Sequence, residues 1–96
     1  MKSFTHNGQH FDLLHINEDD SRIVVDEDGT ELMKFDSSLN ILGNDGEHVG
    51  RLGAYDNQWH LIKADGSEHP LNIPCNDYGW REMVDAEVEA AKLLLG

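Results

Sequence analysis

Ninety-six residues with 19 acidic and seven basic side chains give a formal charge of −12. That field repels nucleic acid and anionic membrane and favours basic partners; its plainer reading is that it keeps a small protein soluble. The length suits a single domain, 1–96, with a modest core. One cysteine, Cys75, excludes an internal disulfide and points to a reducing compartment.

In chain order, the opening MKSFTHNGQHFD lacks the apolar run of a signal peptide, and no segment reaches the length of a membrane-spanning helix. The expectation is a cytoplasmic protein. Asn7-Gly8 reads as a tight hairpin turn that pairs Phe4 with Phe11, because Asn and Gly tolerate the positive φ such a turn needs. His6, His10 and His15 surround this hairpin without the spacing of a known ligand motif, and the six histidines of the chain are otherwise scattered. No metal and no cofactor is expected.

Between Asn17 and Asp28 lie six acids, Glu18, Asp19, Asp20, Asp26, Glu27 and Asp28, and one base, Arg22. The two triplets flank a short strand, SRIVV, which would hold them a fixed distance apart. They are the candidate partner-binding residues.

Asp28-Gly29, Asp45-Gly46 and Asp65-Gly66 recur with a shared outline of apolar pair, spacers, Asp-Gly and polar return. A calcium loop would need oxygen ligands at its positions 1, 3 and 5 before the glycine. The position-1 residues would be Val24, Ile41 and Leu61, so the calcium reading fails and the pairs read as turns. Asp56-Asn57 supplies a softer turn.

Taking each as a two-residue loop sets Leu39 opposite Leu52, Ile41 opposite Gly50, Leu52 opposite Leu61, Ala54 opposite Trp59, and Lys63 opposite Glu68. Leu39, Ile41, Leu52, Ala54, Trp59 and Leu61 then share an apolar face. Asn40, Arg51, Ile62 and His69 form a row on the other face, and Gly53, His60 and Leu71 the next. Arg51, His60 and His69 are therefore the candidate ligand face for a small-ligand or metal-binding alternative.

After Pro74 the rhythm becomes helical. Asn76 or Asp77 can cap a helix running to Leu95, with Trp80, Met83, Val84, Val88, Ala91, Leu94 and Leu95 as its apolar stripe. Arg81, Asp85, Glu89 and Lys92 occupy the opposite side. Leu39, Leu52, Trp59 and Leu61 should meet Trp80, Val84, Val88 and Ala91 in the core. Glu87 falls inside the stripe, where an unpaired carboxylate is costly. Either the helix rolls so that Glu87 snorkels at the sheet edge toward Arg22 or Lys63, or that part of the helix faces a partner.

The expected fold is α+β: an antiparallel β-meander of about five to seven strands over 1–74, with one helix over 75–96 packed on it. A small SH3-like barrel is the alternative closure. Cys75 precedes the helix but has no partner motif, and no phosphate loop or nucleophile elbow occurs, so no enzyme is expected.

The composition is similar to that of phage-encoded anti-CRISPR proteins and toxin-immunity proteins: small, acidic and free of catalytic motifs. By that analogy the chain would be an inhibitor, a nucleic-acid mimic whose carboxylates occupy a basic, nucleic-acid-binding site on a larger protein.

Overall fold

The computed structural model describes residues 2–75 and 80–96, with helix side chains from 82 onward. It contains eight strands and one helix, in the order β1 (Lys2–His6), β2 (Gln9–Ile16), β3 (Ser21–Val25), β4 (Glu31–Phe35), β5 (Asn40–Gly43), β6 (His48–Tyr55), β7 (Gln58–Lys63), β8 (Glu68–Pro74) and α1 (Trp80–Leu95). The antiparallel α+β meander is as expected, with more strands than five to seven. Two turns explain the difference, at 17–20 and 36–39, neither of which carries a glycine to announce it. The expected helix start at Asp77 and its cap at Asn76 or Asp77 lie outside the described residues, as do the Trp80 anchor and the side chain of Arg81.

The chain forms two compact units, 1–48 and 49–96. In the first, β1 to β5 pair in sequence, all antiparallel. Asn7 and Gly8 have φ of 52° and 78°, the two-residue turn that the sequence implies. It sets Phe4 opposite Phe11, and their rings stack with centroids 5.4 Å apart. The registers place Leu13, Val24, Met33, Phe35 and Ile41 on that same face, where all are buried. Arg22 shares it and is 2 % exposed, its Nη1 donating to the Asp20 carbonyl at 2.8 Å. Strand β3 is buried along its whole length, so both of its faces are covered rather than one.

The Asp-Gly pairs do not form two-residue turns. At 26–30, 36–40, 43–47 and 63–67 the first residue's N–H donates to the carbonyl of the fifth, and the fourth residue's N–H donates back to the carbonyl of the first. Only the fourth residue has positive φ: Gly29 at 80°, Leu39 at 68°, Gly46 at 85° and Gly66 at 90°. These are three-residue loops, a type I turn closed by a left-handed residue that forms a bulge. Leu39, expected in a strand, therefore sits in a loop. It holds a conformation that costs an L-residue about 1–2 kcal/mol and that its sister loops give to glycine.

In the second unit, Asp56 and Asn57 have φ of 52° and 62°, a true two-residue turn. It sets Leu52 opposite Leu61 and Ala54 opposite Trp59, as expected. Leu52, Trp59 and Leu61 are at most 2 % exposed. The three-residue loop at 63–67 shifts the next register by one. Glu68 stands opposite Ile62, not Lys63, and His69 stands opposite Leu61. The expected Lys63–Glu68 pairing is corrected accordingly. A one-residue shift exchanges faces, so Leu71 leaves the row with Gly53 and His60, joins the side of Leu61 and is 6 % exposed. Strand β8 then bends past Asn72, at φ 60°, between Pro70 and Pro74.

Helix α1 contacts β7 and β8. Val88 and Ala91 are buried as expected, but so are Ala86, Glu87 and Ala90. At 100° per residue these five span an arc of about 200° centred on Glu87. Glu87 is fully buried, which overturns the snorkelling edge position. Small alanines on that arc let the helix backbone approach closely, while Met83, Val84, Leu94 and Leu95, on the same arc but toward the two ends of the helix, are half-buried. Among the described residues, no helix is long and apolar enough to cross a membrane.

Candidate functional site

Strands of a meander alternate in direction, so consecutive turns fall at opposite ends of the sheet. In the first unit, Asn7-Gly8, the 26–30 loop and the 43–47 loop lie at one end. The 17–20 turn and the 36–40 loop lie at the other. The two acidic triplets thus sit at opposite ends of the five-residue β3, about 17 Å apart by strand rise. The short strand separates them as the sequence suggests, and their surroundings differ.

At the 17–20 end, Asp19 accepts from Ser21 Oγ at 2.5 Å, from Ser21 N–H at 3.1 Å and from Lys34 Nζ at 2.9 Å. The Ser21 hydroxyl bond, followed by Lys34, pulls its pKa down to about 2. Asp20 meets His15 Nε2 at 2.7 Å. Two of the three carboxylates are therefore engaged with their own strands, and Glu18 is exposed. Lys2, Arg22 and Lys34, the lysines and arginine of 2–48, all belong to this half of the strands: Lys2 opens β1, Arg22 is the second residue of β3 and Lys34 is near the close of β4.

The other end carries Asp26, Glu27, Asp28, Glu31, Asp45 and Glu47, and no lysine or arginine of 2–48. Asp26 shapes its loop by accepting from Asp28 N–H at 2.9 Å and Thr30 N–H at 3.0 Å. Asp45 likewise accepts from Glu47 N–H at 3.0 Å. Glu27 accepts from His10 N–H at 3.2 Å, tying the 26–30 loop to the start of β2. These bonds hold the loops, while Glu27, Asp28, Glu31 and Glu47 remain exposed. These hydrogen-bonded loops present carboxylates with no lysine or arginine of 2–48 at the same end. Sequence density alone ranks the two triplets equally; the alternation of strand direction separates them, and brings in Glu31, Asp45 and Glu47, which sequence reading passed over.

The second unit does not assemble Arg51, His60 and His69. Arg51 and His60 share a face, but the shifted register sends His69 to the other, beside Leu61, where its Nε2 lies 3.2 Å from Ser67 Oγ. His60 is buried rather than solvent-facing, at 6 % exposure, and its Nδ1 finds no hydrogen-bond partner among the described residues. What gathers on that face instead is Tyr55, stacked on the His60 ring with centroids 3.8 Å apart and planes 4° from parallel, its hydroxyl donating to the Glu68 carboxylate. That bond pushes the Tyr55 pKa up to about 12.

Among the described residues, no group of three or more His, Cys, Asp and Glu side chains is gathered to hold a metal ion. Cys75 is half-buried, and its N–H donates to the Asn57 carbonyl at 3.0 Å. Comparison with protein-family models, curated proteins and solved structures gives no match for this chain.

Proposed function

We propose that the protein is a small, cytoplasmic, acidic protein-binding module that occupies a basic, nucleic-acid-binding site on a larger protein, as an anti-CRISPR-like or immunity-like inhibitor. The observation that carries this reading is the polarity of the first unit. One end of its sheet holds Asp26, Glu27, Asp28, Asp45 and Glu47 in loops tied by hydrogen bonds, with Glu31 at the adjoining start of β4. The lysines and arginine belong to the other half. Carboxylates spaced on a rigid frame can meet lysine and arginine that otherwise hold phosphates, without a cost for ordering the loops. No catalytic step is part of this reading.

Binding should rest on the 26–31 and 45–47 carboxylates more than on Glu18, Asp19 and Asp20. Each exposed pair contributes little alone, so single substitutions are mild and a cluster reversal severe. Glu27, Asp28, Glu31 and Glu47 are exposed, so their combined reversal to Lys should leave the fold intact. That variant should fail to capture the partner taken from source-cell extract by the native protein. The partner's complex should weaken steeply with salt and be displaced by nucleic acid. Native affinity in the reversed variant, or a complex indifferent to salt and nucleic acid, would end this reading.

A further inference from the structure

We propose that the outer face of the Tyr55 ring, with the Glu68 carboxylate at its tip, receives an arginine side chain of the partner; this rests on the reading above that the partner is basic. Tyr55 closes β6 and is 38 % exposed. One ring face is covered by the parallel His60 ring at 3.8 Å, so the exposure falls on the opposite face and the edge.

The ring is held on three sides. His60 lies beneath it, its hydroxyl is bonded to Glu68, and its inner edge lies against Gly53. A Cβ at Gly53 would fall 3.4 and 3.6 Å from Tyr55 ring atoms and 3.0 Å from Ile62 Cδ1. The ring thus lies within ordinary contact distance of this backbone position, and the tight approach there is to Ile62. An exposed aromatic ring already fixed in place loses little conformational freedom on binding, which is what makes such rings strong anchors. His60, whose buried Nδ1 finds no hydrogen-bond partner among the described residues, supports the tyrosine flat.

Charge selects the occupant. The charged groups whose fields reach the phenol are Glu68, Asp56 and Arg51, two carboxylates against one guanidinium. Arg51 lies four residues up β6, about 13 Å along the strand. A guanidinium is planar, stacks on an aromatic face and can share its forked N–H groups with a carboxylate at the ring tip. An ammonium carries the same charge but neither the plane nor the fork. Arginine, rather than lysine, fits this surface.

The test titrates acetyl-arginine-amide and acetyl-lysine-amide, at equal ionic strength, into the whole protein while the Tyr55 ring signals are followed by NMR. Arginine amide should shift the Tyr55 signals saturably, and lysine amide should bind about fivefold more weakly. Glu68→Gln should weaken the arginine response, Tyr55→Phe should retain part of it, and Tyr55→Ala should abolish it. Equal responses to the two amides, or an arginine response centred elsewhere and unchanged in Glu68→Gln and Tyr55→Phe, would overturn the proposal. Glu27→Lys with Asp28→Lys and Glu47→Lys should leave this titration unaltered. Loss of the arginine response at Tyr55, with partner capture still sensitive to those reversals, would remove this inference and leave the acidic-loop reading standing. The reverse pattern would do the opposite.

Discussion

The β6–β7 and β7–β8 hairpins share strand β7, yet their loops set register by different means. At Asp56-Asn57 both central residues are left-handed, at 52° and 62°, and the strands meet in the two-residue register. At Asp65-Gly66 only the glycine is left-handed, at 90°. Asp65 spends its carboxylate on Ser67, accepting from the N–H at 2.9 Å and the hydroxyl at 2.7 Å. That side-chain bond stabilises a type I turn, which needs a third loop residue to match the strand twist. All three Asp-Gly pairs take this three-residue form, whereas Asp56-Asn57, with both residues left-handed, takes the two-residue one.

The largest expected effects test the two registers directly. Trp59→Ala should cost about 3–5 kcal/mol and Leu61→Ala about 2–5 kcal/mol in urea unfolding, because β6–β7 pairing buries both. Leu71→Ala should also cost about 2–5 kcal/mol, since the shifted β7–β8 register turns it inward. A loss below about half a kcal/mol, typical of a surface site, would restore the two-residue register there.

Loop substitutions come next. Gly66→Ala meets open space but forces an L-residue to φ 90°, at about 1–2 kcal/mol. Asn57→Gly should be close to neutral in thermal unfolding, because glycine accepts the conformation asparagine already holds. Asp65→Gly should lower the midpoint instead, since it removes the Ser67 bonds and gains nothing at a residue outside the left-handed region. Equal behaviour of the two glycine substitutions would erase the contrast between the hairpins.

Smaller effects appear as pH dependence. The Ser67 backbone bond, first among its causes, lowers the Asp65 pKa below 3.8. A depressed carboxylate stabilises the fold above its unfolded pKa and loses that contribution as pH falls. The midpoint difference between the native chain and Asp65→Asn should therefore shrink as pH drops below about 4. Tyr55 has the opposite sense. Its bond to Glu68 favours the protonated phenol, so its contribution is present below pH 10 and lost as pH rises toward about 12. Ultraviolet titration should show a late tyrosinate step that is missing in Tyr55→Phe.

Much of this architecture was legible in the chain. Asn7-Gly8 placed Phe4 on Phe11, Asp56-Asn57 placed Trp59 and Leu61 inside, and the 3.6-residue spacing after Pro74 marked a helix. These are local matters, settled by φ preferences and periodicity over a few residues. The turns at 17–20 and 36–40 were not legible, because neither carries a glycine to mark it: Asp20 and Leu39 take the left-handed positions, and for Leu39 that runs against the residue's own preference.

Tertiary structure alone decided the rest. A shift of one residue at Asp65-Gly66 carried His69 away from Arg51 and His60, carried Leu71 inward and brought Glu68 within reach of Tyr55. Full burial of Glu87 and of both faces of β3 depends on what packs against them, which spacing does not encode. The same holds for the candidate surfaces. Composition determined that the protein is acidic, but only the alternating direction of paired strands gathered six carboxylates of the first unit at the end away from Lys2, Arg22 and Lys34, because charge polarity in a meander follows from which turns share an end of the sheet.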